Sequence, residues 1–308
     1  MAPTPTILIT GATGLVGNAL VPLLAEATPS RRISVLTRKP ERIHKIAGVP
    51  VQAFGWSPSD GQLDPRALEG VTHVIHLAGE PVAQRWTAAS KQRIRDSRTG
   101  GLQLLRAACM AKGIAPKVIS ASAVGIYAPG PELRTEDTDR GPGFLADVVA
   151  DWETATSEFG ALGGGHVSFR IGLVLSARGG VLQKLLPIYR LGLGAPLASG
   201  RQSQSWIHVS DLARLFATAV EREDWTGPFN AVAPTAVSQR TFSETLAKVL
   251  HRPHLLPPVP SIALKLVYGD AAAALLASHN VSAERIMSAG FDFEFEHLEA
   301  ALMDAIQR

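Results

Sequence analysis

The sequence predicts an α/β fold. A doubly wound, parallel sheet is expected with helices on both faces, followed by a smaller, mostly helical C-terminal lobe. Three observations predict it. Strand-like and helix-like segments alternate through the first half of the chain. A glycine triad, Gly11, Gly14 and Gly17, stands between the first such strand and the first such helix. Beyond Leu175 the rhythm breaks into short pieces and then turns helical.

Residues 6–10 form a short β-rich run and predict the first strand, with a helix from 15 to about 27 behind it. Residues 33–37 (ISVLT) predict the second strand and residues 71–77 (VTHVIHL) a later one. A long helix, polar and then apolar, is expected from about 87 to 111, and the next strand at 117–122 (KVISAS). A helix from about 144 to 159 leads into 166–175 (HVSFRIGLVL), read as one strand. Such continuous apolar runs suit strands buried on both faces. Gly179, Gly180, Pro187, Pro196 and Gly200 break residues 176–204 into pieces, which are expected to contribute to a substrate lobe. Residues 210–221 look helical, capped by Ser210 or Asp211, and 229–232 look like a strand. From 238 onward the chain reads as helix, interrupted by LLPPVP at 255–260, a linker by its prolines. The expected division is a nucleotide-binding domain at 1–235 and a small helical domain at 236–308.

Bulk composition narrows the function. At 308 residues, 46% hydrophobic and 19% charged, the chain can bury one large core and a modest appendage. Thirty basic residues face 27 acidic ones, and they are spread along the sequence. The isoelectric point of about 9.2 therefore makes no nucleic-acid stripe, and no nucleic-acid partner is expected. The single cysteine, Cys109, excludes an internal disulfide framework and a cysteine-based zinc cluster. It reads as a small apolar core residue, and no metal is expected. No run approaches the ~18 apolar residues of a membrane span. The opening MAPTPTILIT lacks the basic region and long apolar stretch of a signal peptide, so a cytoplasmic location with no membrane partner is expected.

The strongest motif is TGATGLVG at 10–17, directly after a strand and directly before a helix. Gly11 permits the tight turn, Gly14 lets the backbone approach a pyrophosphate, and Gly17 lets helix and strand pack closely. Thr13, Leu15 and Val16 complete the turn, whose free N–H groups suit phosphates. This is the phosphate loop of a Rossmann-type fold. A site preferring NAD usually carries an acidic residue at the end of the second strand, to bind the ribose 2′-hydroxyl. Here Arg38 and Lys39 stand there instead. A guanidinium cannot accept from a hydroxyl but pairs well with a 2′-phosphate, so the expected cofactor is NADP(H).

With TGATGLVG, the segments HLAGEP (76–81), SASAVGIY (120–127), WIHVSDLA (206–213) and FNAVAP (229–234) resemble, in order, the extended short-chain dehydrogenase/reductases. More narrowly, AGEP, FLADVVADWE (144–153), RIGLVL (170–175), LGLGAPLASG (191–200) and the C-terminal GFDFEFEHLEAAL resemble an atypical, epimerase-family group ending in a small helical domain. The resemblance spans essentially the whole chain. It implies that Leu77, Ala78 and Gly79 line the cofactor and that Ser122 lies near the nicotinamide. It places Trp206 and His208 where the cofactor domain meets the substrate lobe, His208 being read as structural. Trp56 falls near the adenine, either stacked on that ring or packed in the core. Relatives of this fold often dimerise through paired helices, which leaves a dimer open by analogy.

The resemblance departs at the chemistry. Typical relatives protonate the nascent alkoxide from a tyrosine whose pKa is lowered by a lysine four residues on. The positions four after Tyr127, Tyr189 and Tyr268 hold Pro131, Leu193 and Ala272. In the helix where the pair belongs stand Val149 and Glu153. The remaining candidates are Glu80 and Arg98, an acid and an anion-holding cation, with Ser122 to polarise a carbonyl, Glu153 as acid–base and Tyr127 as the nearby phenol. Two functions fit: an NADP(H)-dependent oxidoreductase or epimerase-like protein acting on a small polar or anionic substrate, or a noncatalytic protein that senses NADP(H).

Overall fold

A computed structural model describes residues 5–27 and 31–307; residues 1–4, where the signal-peptide reading starts, and 308, where the C-terminal domain reading ends, lie outside them. Eight strands form the main sheet. Its order from edge to edge is Gly227–Ala231, His166–Ile171, Lys117–Ala123, Val71–His76, Thr6–Thr10, Arg32–Thr37, Gln52–Ser57 and Gln62–Leu63. All neighbours are parallel except the last pair. Every residue of Thr6–Thr10 is buried, as a strand covered on both faces requires. Helix Leu15–Glu26 packs with Val209–Glu221, and Ala88–Lys112 packs with Phe144–Ser157, giving one helical layer on each face. No described helix is long and apolar enough to cross a membrane.

Local chemistry sets the helix ends. Thr87 Oγ1 accepts from the Ser90 N–H while Ser90 Oγ accepts from the Thr87 N–H, a reciprocal cap on Ala88–Lys112. Gly113, at φ 65°, ends that helix. Buried Lys117 donates from Nζ to the carbonyls of Ala219 and Arg222, placing a cation at the C-terminal end of Val209–Glu221. Cys109 is fully buried in the main core, where burial pushes its thiol up to about 11 and leaves it unreactive.

Several elements differ from the sequence reading. The run 166–175 is two strands, not one. At Gly172 the chain leaves the main sheet, and Leu173–Leu175 pairs with Trp206–His208 instead. A Cβ at Gly172 would lie 2.5 Å from the Ser205 carbonyl oxygen, so the two backbones meet where only glycine fits. Within 176–204 a full helix, Gly180–Arg190, runs through Pro187. Gln183, whose carbonyl that proline leaves unbonded, is exposed and open to water. Helix Val209–Glu221 is capped by His208, whose Nδ1 accepts from the Ser210 N–H, rather than by Ser210 or Asp211. The proline run 255–260 is no free linker. Val259 donates to Pro196 and accepts from Ala198, because chain denied a helix by proline can dock edge-on. A strand the sequence reading passed over, Gln52–Ser57, extends the main sheet.

The C-terminal lobe adds a four-stranded sheet to its helices. It is gathered from Val237–Ser238, Ser203–Gln204, His279–Val281 and Gly130–Arg134. Its core joins Leu175, Leu182, Tyr189, Trp206, Phe242 and Leu302. Asp211, fully buried, accepts from the backbone N–H groups of Glu294 and Phe295 and from Arg214, tying the C-terminal segment to the main domain. Asp211→Ala strands both N–H groups and is expected to lower stability by about 3 kcal/mol. Urea denaturation measures this, and amide exchange should quicken at Glu294 and Phe295. An unchanged midpoint would remove that role from Asp211.

Candidate functional site

The strand order reverses between Thr6–Thr10 and Val71–His76, and doubly wound sheets bind ligands in the crevice above such a reversal. The glycine loop forms one wall of it. Gly11 has φ +69°, and a Cβ there would fall 2.7 Å from the Ala78 nitrogen and the Leu77 carbonyl carbon. The loop thus abuts Leu77–Ala78, the opposite wall. A Cβ at Gly17 would lie 2.3 Å from the Ala12 carbonyl oxygen, so this glycine sets how closely helix Leu15–Glu26 approaches the turn. Gly14 is the N-cap of that helix and supplies no side chain, and the first turn holds no acidic residue. Thr13 and Gly14 are exposed and Leu15 and Val16 half-buried, and the Gly14 N–H closes the turn by donating to the Gly11 carbonyl, so the helix start stands open to solvent beside the crevice.

The second wall is held from below. The Leu77 N–H donates to the Thr10 carbonyl and the Ala78 N–H to Thr10 Oγ1. Thr10 Oγ1 lies 2.9 Å from Nδ1 of His76, which is fully buried. Burial pulls the pKa of His76 down to about 4, so the ring is neutral at pH 7 and shares one hydrogen bond with the Thr10 hydroxyl. Trp56 meets His76 edge-on and packs against Gly101, where a Cβ would fall 2.9 Å from the indole. Its ring, 7% exposed, belongs to the core. Arg38 and Lys39 both stand exposed beyond the second strand, with no ion-pair partner among the described residues. Nearby Glu41 points to Arg42 instead.

The reactive candidates separate into two groups. Arg98 bonds from Nη1 to the carbonyls of Glu80 and Ile94 and lies 5.1 Å over the Trp152 ring. A Cβ at Gly79 would sit 3.3 Å from its guanidinium, so Arg98 braces the backbone of the Gly79–Glu80 turn. Burial, opposed in part by Glu80, lowers its pKa to about 10, which keeps it a cation. The Glu80 carboxylate faces Gln84 and Arg93.

The second group joins Ser122, Glu153 and Tyr127 in one buried network. Ser122 Oγ donates to Glu153 Oε1 at 2.6 Å. Arg170 grips both Glu153 oxygens at 2.8 Å and donates from Nη1 to the Tyr127 hydroxyl at 2.9 Å. The Tyr127 hydroxyl donates to Asn230 Oδ1 at 2.7 Å, and the Asn230 N–H donates to Glu136. Burial works to lower the pKa of Arg170, but the hydrogen bonds and charge of Glu153 outweigh it and raise the pKa. Burial pushes the Tyr127 phenol up, and the Arg170 charge opposes that only in part. Val149, which the resemblance puts where relatives carry the tyrosine, is buried. Arg170 and Asn230 were not singled out from the sequence. Both lie inside quoted motifs, RIGLVL and FNAVAP, and a charged or amide side chain in an otherwise apolar strand was the available signal.

Trp206 and His208 serve the lobe junction. Trp206 donates to the Thr235 carbonyl. His208, fully buried, lies 3.2 Å from Asp304 and packs on Phe295. Through these contacts and its cap on Val209–Glu221 it ties the junction to the C-terminal segment.

Comparison with known proteins places this architecture. Residues 7–148 match the NAD dependent epimerase/dehydratase family, and 259–305 match a domain of unknown function, DUF1731. The chain is 36% identical over 307 residues to an epimerase family protein of Mycobacterium bovis, covering 98% of each. It is 35% identical over 306 residues to one of Staphylococcus aureus, covering 98% of this chain and 99% of the other. The crystal structure of the human epimerase family protein SDR39U1 with NADPH is similar at a TM-score of 0.84 and 28% identity, over 98% of this chain and 99% of that one. With its glycine-lined crevice and its C-terminal DUF1731 domain, the chain belongs to the epimerase family proteins, as an SDR39U1-like, NAD(P)-binding member of the atypical short-chain dehydrogenase/reductases.

Proposed function

We propose that the chain is an NADP(H)-dependent oxidoreductase or epimerase-like enzyme acting on a small polar substrate. One observation carries the reading: a glycine cradle open to phosphates, with Arg38 and Lys39 exposed where a 2′-phosphate would fall. The NADPH seen with the human relative supports the same cofactor. Gly11, Thr13, Gly14, Leu15, Val16 and Gly17 hold the pyrophosphate in this reading, and Leu77, Ala78 and Gly79 line the nicotinamide half. When bound, the cofactor supplies a hydride donor or acceptor. The chain's own residues handle the proton. Ser122 donates its hydroxyl hydrogen bond to Glu153, which leaves the oxygen's lone pairs to accept. A substrate hydroxyl can donate to that oxygen while the Ser122 proton moves to Glu153, and the reverse transfer returns it. Arg170 fixes Glu153, Tyr127 and Asn230 fix Arg170, and Arg98 holds the turn carrying Glu80. A second reading, an NADP(H) sensor without turnover, rests on buried Val149 at the usual tyrosine position. Hydride transfer with any member of a metabolite panel would exclude it.

Titration with NADPH and NADH tests the cofactor assignment. The wild type should prefer NADPH, and Arg38→Glu should weaken NADPH binding by about 100-fold while sparing NADH, as loss of a charge-assisted pair predicts. Equal affinity for the two in the wild type would remove the 2′-phosphate assignment. Binding of neither would remove the cofactor.

A further inference from the structure

Outside the cofactor walls and the Ser122 network, the turn after Gly79–Glu80 carries an aromatic side chain that stays partly open to solvent. Trp86 lies on the turn that follows Gly79–Glu80 and is half-exposed, whereas the other four tryptophans are buried. Its position is fixed from two directions. The indole N–H donates to the Val82 carbonyl at 3.0 Å, and the Thr87–Ser90 cap immobilises the next residues. Phe144, the first residue of the helix that carries Glu153, meets Trp86 edge-to-face at 5.2 Å and is also half-exposed. Lys91 Nζ sits 5.9 Å from the Trp86 ring centre and 5.5 Å from that of Phe144. The start of the helix that carries Phe144 also meets the turn after Ser122, since a Cβ at Gly125 would lie 3.7 Å from Leu145 Cβ.

We propose that Trp86, Phe144 and Lys91 form a subsite for the planar, negatively charged part of the substrate: an aromatic or heteroaromatic ring bearing a carboxylate or phosphate. This rests on the reading of the crevice as a substrate site beside NADP(H). The T-shaped ring pair presents an aromatic surface on which a flat ring can pack, and Lys91 supplies the charge beside it. The surroundings favour an anion. Lys91 faces Asp270 of the C-terminal lobe at 3.7 Å, too long for a hydrogen bond, so a ligand anion can take its place. Arg93 is shared with Glu80 at 3.6 Å, and Arg85, exposed on the same turn, has no ion-pair partner among the described residues. The balance over Arg85, Lys91, Arg93, Glu80 and Asp270 is one positive charge. The subsite would read its ligand by shape through the rings and by charge through Lys91, as small-molecule sites commonly do.

Trp86 is its own reporter, because it is the tryptophan that a soluble quencher reaches. The full chain, saturated with NADP⁺, is titrated with benzoate, cyclohexanecarboxylate and benzamide, and tryptophan quenching by acrylamide is followed with ligand-observed NMR. Benzoate should shield Trp86 and bind about tenfold more tightly than its saturated or uncharged counterparts. Trp86→Leu should weaken benzoate, as read by ligand-observed NMR, while leaving NADP⁺ affinity unchanged. The surface variant Lys91→Gln, which keeps the fold, should erase the preference for benzoate over benzamide. The proposal is overturned if millimolar benzoate gives no shielding, if cyclohexanecarboxylate shields equally, or if Lys91→Gln keeps the preference. NADP⁺ binding throughout those outcomes would leave the cofactor reading standing, and its absence would sink that reading separately.

Discussion

Arg170→Leu is expected to destabilise the chain by about 3–5 kcal/mol, the cost of removing one member of a buried ion pair. Arg170 and Glu153 have side chains 8% and 16% exposed, and the guanidinium occupies both carboxylate oxygens. Leucine leaves that carboxylate facing protein with only Ser122 as a donor, and it takes a partner from Tyr127 and from the Glu136 carbonyl as well. Replacing both charges, as in Glu153→Leu with Arg170→Leu, should recover most of the loss, because a well-packed apolar pair replaces a buried salt bridge at little net cost. Urea denaturation of the two single variants and the double gives the coupling energy, expected to exceed about 2 kcal/mol. If the single substitution costs less than about 1 kcal/mol, the network is not an organising element and its hold on Ser122 is weak.

Gly17→Ala should reduce NADPH affinity by at least about 100-fold and lower stability by about 1–3 kcal/mol. The added carbon would lie 2.3 Å from the Ala12 carbonyl oxygen and 2.5 Å from Ala12 Cα. Both are backbone atoms, so helix Leu15–Glu26 must move away from the turn, and the N–H groups that begin at Gly14 move with it. Gly14→Ala provides the contrast. Its Cβ would meet only the Gly11 carbonyl oxygen, at 3.1 Å, a milder crowding than at Gly17, so the free protein should lose less stability than Gly17→Ala while the phosphates are held off. Fluorescence titration with NADPH and thermal denaturation separate the two effects. Wild-type affinity in Gly17→Ala would mean that the helix start does not hold the phosphates.

Much of this site was legible in sequence order because its physics is local. TGATGLVG names a strand end, a turn and a helix start within eight residues, and the structure sets Gly11 against Leu77–Ala78 and Gly17 against Ala12. Arg38 and Lys39 follow their strand directly, so their exposure at its end could be read there. The breaks that were missed depend on distant partners. Nothing within HVSFRIGLVL says that Gly172 must pass the Ser205 carbonyl, or that Leu173–Leu175 will pair with Trp206–His208. The four-stranded lobe sheet escaped for the same reason, since its strands are two to five residues long and too short for a periodic pattern.

By itself, then, the sequence determined the doubly wound sheet, the glycine loop between its first strand and helix, the basic residues beyond the second strand and the absence of a tyrosine–lysine pair. Each of these is a matter of residue type at short spacing. Only the tertiary structure decided which polar groups share a site. It brought Ser122, Glu153, Arg170, Tyr127 and Asn230 into one hydrogen-bonded chain from four elements and a loop, and set Arg98 apart beneath the Glu80 turn. A buried charge must find its partner wherever the fold supplies one, and that partner is chosen by packing across the sheet, not by distance along the chain.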